Sequence, residues 1–370
     1  MEAYLDHNST TPLDARVLQA MMPFLTNDFG NPSSAHSRGA RALQAVEQAR
    51  QQVADLVDAD ANSVYFCASA TEAINTIFSS VMSGRVVTSA VEHASSLRAS
   101  ERLELKGIPV LRLRVNRDGQ LDTTILSHEL ESPTALVSVL WANNETGTIF
   151  PIQRIAEICS GKGVPLHLDA VQAAGKLPIS LRDIDIDFIS ISAHKFNGPK
   201  GVAALVANNS AFLKPLIVGG PQERGQRAGT ENVAGIVGFG KAAELARIEL
   251  HSRVRHVEAL RNRLESALLT ALPGCWINGD RTHRLSNTTN IGFPKKDADD
   301  VVARLSARGI FVSSGSACNA QSIEPSHVIQ AMGRSFDEAR SSVRFSLSHT
   351  NTAAEIDLAI DAVVSEFATE

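Results

Sequence analysis

Seven short strand-like runs, several of them nearly all apolar, punctuate the first two-thirds of the chain, at 63–67, 85–89, 110–115, 135–142, 165–170, 188–193 and 202–207. Runs of this length without polar alternation predict strands covered on both faces. Between them the period changes. Over 35–58, apolar residues recur at Ala42, Val46, Ala49, Val53 and Leu56, the spacing of one helical face. A second helix is predicted over 71–80, directly after a strand. A third runs with little punctuation over 231–272, carrying Leu245, Ile248, Val254, Val257, Leu260 and Leu264, long enough to span two lobes. Strand and helix in alternation predict an α/β fold with a mainly parallel sheet. After Gly274 and the Asn278-Gly279-Asp280 turn, the remainder reads as strands and helices of a smaller domain.

Size supports two lobes, because 370 residues exceed what one hydrophobic core usually accommodates. Hydrophobic residues at 44% and charged residues at 20% describe a globular protein, not a disordered one. A net charge of -5 gives no electrostatic case for nucleic acid or a membrane surface. No apolar run approaches the roughly 20 residues of a membrane helix. The first residues lack the basic and apolar regions of a signal peptide, so a cytoplasmic protein is expected. Four scattered cysteines, with no C-x-x-C pair, predict a reducing compartment and neither a disulfide framework nor a zinc site.

Candidate chemistry gathers at strand ends. Lys195 follows Ser192-Ala193-His194 where a buried strand stops, at the carboxyl edge where open α/β sheets bind ligands. An amine there, beside hydroxyl and imidazole groups, suits covalent capture of an aldehyde cofactor. Asp169 ends another strand, with Gln172 three residues on. It fits either a helix N-cap or the partner of a protonated ring nitrogen. His167-x-Asp169 lacks a third ligand at metal spacing, and no metal is expected. The small residues of Ala68-Ser69-Ala70-Thr71 open a helix, where backbone N–H groups and the Thr71 hydroxyl face an anion if one binds. His93 reads as structural or as a ring-stacking imidazole; Asn144 as part of a turn or a hydrogen-bond donor. The loop 219–232, with Arg224, Arg227 and Thr230, suits anion recognition. Cys318 sits after Ser313-Ser314-Gly315-Ser316-Ala317 in no hydrophobic pattern, as a nucleophilic thiol requires.

Together these stretches resemble the cysteine desulfurases, within the class V aminotransferase group of fold-type I pyridoxal 5'-phosphate (PLP) enzymes. Tyr4–Pro12, Gly30–His36, Trp141–Gly147, the Asp169/Gln172 pair, Ser192–Lys195, Arg227–Asn232, the Cys318 loop and Arg344-Phe345-Ser346 match that family in order. Ser313–Cys318 with Ser322–Val328 is similar to the branch with the longer catalytic loop. The resemblance implies an N-terminal segment over 1–15 near the small domain, a PLP-binding large domain over 16–248 with a seven-stranded sheet, and a small α+β domain over 249–370 bearing the cysteine loop. It implies that Lys195 holds PLP and moves a proton, and that Asp169 pairs with the ring nitrogen. Gln172 and Asn144 would contact the ring's oxygen side, and His93 would stack on the ring. Thr71, Ser192 and His194 would hold the phosphate, joined by Thr230 from a second subunit of a homodimer. Arg344 and Asn31 would bind the substrate carboxylate, and Cys318 would take sulfur from L-cysteine for delivery to an acceptor protein of iron–sulfur assembly or nucleic-acid thio-modification. A selenocysteine lyase, another aminotransferase of this fold, or an idle interaction protein are the competing readings. The chain departs from the common pattern at Ala68-Ser69 and Ala193, small for small in each case.

Overall fold

The structure is a computed structural model that describes residues 2–314 and 324–367. Its strands are β1 (Ala3–Tyr4), β2 (Val64–Cys67), β3 (Arg85–Ser89), β4 (Val110–Leu113), β5 (Thr134–Leu140), β6 (Leu166–Asp169), β7 (Phe188–Ser192), β8 (Ala203–Ala207), β9 (Trp276–Asn278), β10 (Thr288–Gly292), β11 (Ile310–Phe311) and β12 (Ser342–Ser346). The principal helices are α1 (Ala15–Thr26), α2 (Ser37–Leu56), α3 (Ala70–Ser80), α4 (Ala94–Glu104), α5 (Thr123–Glu129), α6 (Ile152–Lys162), α7 (Val233–Ala271), α8 (Ala298–Ala307), α9 (His327–Ala331), α10 (Phe336–Arg340) and α11 (Ala353–Phe367).

All seven apolar runs join one sheet, in the order β2-β8-β7-β6-β5-β3-β4. Six strands run the same way; β8 is antiparallel to both neighbours, β2 and β7. Strands β7 and β8 are buried at every residue, which explains why β8 is wholly apolar and why Ser190 of β7 is held by a side-chain partner, His167 Nε2 at 2.9 Å. The run at 110–115 stops pairing as a strand at Leu113, and Val115 turns back to an isolated bridge with Leu121. The helix read over 35–58 begins after His36, whose ring accepts from Gly39 N, and ends at Leu56 before Asp58 takes a positive φ of 49°.

α7 is 39 residues long, or about 58 Å at 1.5 Å per residue. Its first half packs Ile236, Phe239, Ala242 and Ala246 into the core around the large sheet. Its second half supplies Val257, Leu260, Leu264 and Leu268 to a separate core with Phe293, Phe345 and Ile356. Gly240 permits the close crossing of α2, because a Cβ there would lie 2.6 Å from Ala49 Cα. The chain's first strand belongs to the second core. β1 pairs in parallel with β11, Ala3 and Leu5 are buried in it, and Asp6 bridges to Ser346. Residues 6–12 thereby pass from the second core across the carboxyl edge of the large sheet.

Candidate active site

The carboxyl ends of β5, β6 and β7 and the turn after β3 open into a cavity of about 590 Å³. Most predicted site residues meet here. Asp169, Gln172, Ser192, His194, Lys195, His93, Thr71, Asn144 and Arg344 all line it. Asn31 and Thr230 do not. Asn31 Oδ1 accepts from Ser33 N in its own turn, and Thr230 lines a separate depression with Arg227. Cys318 lies outside the described residues. The described chain on either side reaches the cavity: Ser313 exchanges two backbone hydrogen bonds with Arg344, and Glu324–His327 line the wall.

Lys195 ends a single helical turn after β7, which carries its stem to the sheet edge. Its Nζ donates to the carbonyls of Asn8 (2.6 Å) and Ser9 (2.9 Å). Asp169 is buried at the end of β6, and Oδ1 accepts from Val171 N at 3.0 Å. No helix follows, so Asp169 caps a turn and faces the cavity at once. Burial pushes its carboxyl above the usual range, while His93 and Lys195 pull it back. Burial lowers His93, whose Nδ1 accepts from Ser95 N as the cap of α4. His194, its Nδ1 3.1 Å from Thr10 Oγ1, is lowered to about 4 by burial and then by Lys195, and is neutral near pH 7. Arg344 projects from β12. Nη2 donates to Asp6 Oδ1 (2.7 Å) and Ser9 Oγ (2.8 Å), Nη1 donates to the Asn144 carbonyl (3.2 Å), and Nε has no hydrogen-bond partner among the described residues. Gln172 is engaged at both ends of its amide: Nε2 donates to the Asn8 carbonyl (3.0 Å), and Oε1 accepts from Lys176 Nζ (2.5 Å).

Several wall residues escaped the sequence reading. Glu92 is buried, its Oε1 accepting from Ser89 Oγ (2.5 Å) and Leu140 N (3.1 Å), and burial lifts it to about 8. Glu145 accepts from Ser326 Oγ, fastening the chain just beyond the cysteine segment, and His327 Nε2 lies 3.0 Å from the Glu92 carbonyl. Asp6, Asn8 and Ser9 also enter from the N-terminus. The only signal for them was the Tyr4–Pro12 stretch, which stood out as a motif without assigning a role to any of its residues.

The donor set fits PLP. An amine that forms a covalent link, a buried carboxyl whose raised affinity for a proton suits a pyridinium partner, an imidazole beside it, and the start of α3 with the Ser192 and His194 side chains for a phosphate share one cavity. Among the described residues, no cluster of three His, Cys, Asp or Glu side chains is placed to hold a metal ion, and no helix is long and apolar enough to cross a membrane.

A family profile described as aminotransferase class-V matches residues 3–358. A cysteine desulfurase of Trichormus azollae is 45% identical over 363 residues, covering 97% of this chain and 91% of the relative. A solved NifS-like protein superposes with a TM-score of 0.94 at 36% identity, covering 100% of both chains. Another, described as SspA in complex with cysteine, gives 0.82 at 33% identity over 95% of this chain and 100% of that one. Shared identity along nearly the whole length, on the same fold, means that the chain belongs to the class-V aminotransferase family and, within it, to the cysteine desulfurases.

Proposed function

We propose that this desulfurase converts L-cysteine to L-alanine by moving the sulfur onto Cys318 as a persulfide. The balance is one thiol plus L-cysteine giving one persulfide plus L-alanine, with no external oxidant. The observation that carries the reading is the convergence of Lys195, Asp169, His93 and Arg344 on one 590 Å³ cavity, with the chain beside the Cys318 segment in its wall.

PLP would be held through Lys195, with Asp169 on the ring nitrogen, His93 against the ring, and Thr71, Ser192 and His194 at the phosphate. When bound it supplies an electron sink for the charge left at the substrate's Cα. The rest falls to the chain's own groups. Arg344, steadied by Asp6 and Ser9, orients the substrate carboxylate. Lys195, freed by the substrate amine, carries the Cα proton. Cys318, as thiolate, attacks the substrate sulfur, and a neutral His93 is a suitable acceptor for the thiol proton. Thr230 serves the phosphate of a second copy in a homodimer. Its place outside this chain's own cavity supports that role, as do the exposed Leu18, Met22, Leu25 and Phe29 on and beyond α1. The persulfide then passes to an acceptor protein of iron–sulfur assembly or thio-modification.

The test compares wild type with Cys318→Ala: the visible spectrum, then sulfide and alanine from L-cysteine with a reductant. Both proteins should be yellow, and only wild type should release sulfide and alanine in equal amounts. A Cys318→Ala protein that still turns over at the wild-type rate overturns the sulfur step.

A further inference from the structure

Asn8 uses all of its hydrogen-bonding groups, and every partner is distant from it in the chain. Its backbone N–H donates to Ser346 Oγ (3.0 Å). Its Nδ2 donates to Thr288 Oγ1 (2.8 Å) and the Asn144 carbonyl (3.0 Å). Its Oδ1 accepts from Asn287 Nδ2 (2.9 Å) and Lys176 Nζ (3.0 Å). Its carbonyl accepts from Gln172 Nε2 (3.0 Å) and Lys195 Nζ (2.6 Å). The residue is 1% exposed.

Lys176 Nζ donates to both amide oxygens, Asn8 Oδ1 and Gln172 Oε1, and so faces the oxygen end of each amide. With Gln172 Oε1 turned to Lys176, its Nε2 must point to the Asn8 carbonyl. Ser9 is fixed separately: its N–H donates to the Asp6 carbonyl, its Oγ donates to Asp6 Oδ1, and it accepts from Arg344. Two adjacent backbone carbonyls are thereby presented to Lys195 Nζ on a segment that cannot rotate away.

We propose that the Asn8 and Ser9 carbonyls are the resting cradle of the free Lys195 amine, and that Asn8 is the positioning residue that holds this cradle. The inference rests on reading Lys195 as the residue that links to the cofactor. That reading requires Lys195 to stand free while the substrate amine takes its place, and then to return. A free amine on a long flexible stem loses that position unless acceptors hold it near the ring. Carbonyl oxygens accept from an ammonium and have no proton of their own to exchange, so they retain the amine without competing for the proton it carries. The charged and titratable groups that interact with Lys195 are Asp169, His93, His194 and Lys176.

The experiment measures the protonation midpoint of Lys195 in the full-length chain freed of PLP. Trace acetic anhydride labelling from pH 6 to 11 is read by mass spectrometry, with exposed Lys106 as the internal control. Asn8→Ala keeps the carbonyl but removes the side-chain bonds that hold it in place, and a loosened acceptor stabilises the ammonium less. In Asn8→Ala the Lys195 midpoint should therefore fall by about one unit, a tenfold larger neutral fraction near neutrality, while Lys106 stays put. Asn287→Ala removes one brace and leaves Lys176 on Asn8 Oδ1, so it should shift Lys195 the same way by less. If Asn8→Ala does not fold, as judged by circular dichroism, Asn287→Ala decides alone. A folded variant with an unmoved Lys195 midpoint overturns the proposal, because a purely structural Asn8 would change stability only. A colourless wild-type protein would end the cofactor reading without altering the midpoint comparison.

Discussion

Glu92→Gln tests the electrostatics of the cavity wall most directly. Glutamine has glutamate's shape, so its Oε1 keeps the bonds from Ser89 Oγ and Leu140 N, and its amide nitrogen takes the place of Oε2, which has no partner among the described residues. The variant therefore imitates the protonated acid. Burial is the largest influence on Glu92; the Ser89 and Leu140 donors oppose it and Asp169 adds to it, leaving the group at about 8 against an ordinary 4.5. The sign follows from proton counting. Between these values the unfolded chain has released the proton and the folded chain still holds it, so wild type loses stability as pH rises through this window, and above about 8 the loss is complete. Three pH units at about 1.4 kcal/mol each make the loss between pH 5 and pH 8 on the order of 4 kcal/mol. Glutamine does not titrate. Urea midpoints of the two proteins at pH 5, 6.5, 8 and 9, compared at each pH so that all other groups cancel, should show Glu92→Gln gaining on wild type up to pH 8 and no further. A difference that stays flat or shrinks with pH would mean that Glu92 is ionised in the fold and that the reasoning from burial is wrong.

Arg344→Lys keeps a charge but loses the planar fork that spans Asp6, Ser9 and the Asn144 carbonyl. KM for L-cysteine should rise tenfold to a hundredfold (about 1.4 to 3 kcal/mol) with the visible band unchanged, and an unchanged KM would remove Arg344 from carboxylate binding. Burial lifts the thiols of Cys67 and Cys159 to about 12 and of Cys275 to about 11, so at pH 7.5 each is thiolate in less than about one part in a thousand. Iodoacetamide should then label wild type once, at Cys318, and rapid labelling of Cys318→Ala would contradict this.

The apolar runs located every strand of the large sheet because strands buried on both faces tolerate little else. They carried no direction, and the reversal of β8 was therefore invisible: Ala203–Ala207 reads the same either way. Lys195, Asp169 and His93 were legible because each sits where a run stops, and in this fold the stopping points share an edge. Asn8 and Lys176 were not, since the Tyr4–Pro12 motif gives Asn8 no role and nothing local marks Lys176; the meaning of Asn8 lies in bonds to residues as distant as 172, 195, 287 and 346. Glu92 was hidden by its neighbour His93. A lone carboxylate just past a strand end reads as solvent-exposed, and only the turn after β3, folding it under Leu140 N, removes it from water.

The pairing of β1 with β11, and of Asp6 with Ser346, joins segments far apart along the chain. A ribosome releases the first of these residues long before the last. The segment that receives Lys195 rests partly on the large sheet, through Thr11 N on the His194 carbonyl and Gln172 Nε2 on the Asn8 carbonyl, but its anchors on β10, β11 and β12 form only once those strands have emerged, and closing a loop of this length is entropically costly. Assembly of the lysine's full surroundings in consequence waits for β12. Nascent fragments halted before β12 hold the large sheet's lysine and carboxylate but lack the Ser346 bond to Asn8 and the Arg344 bond to Ser9 that complete the hold on the segment facing that lysine.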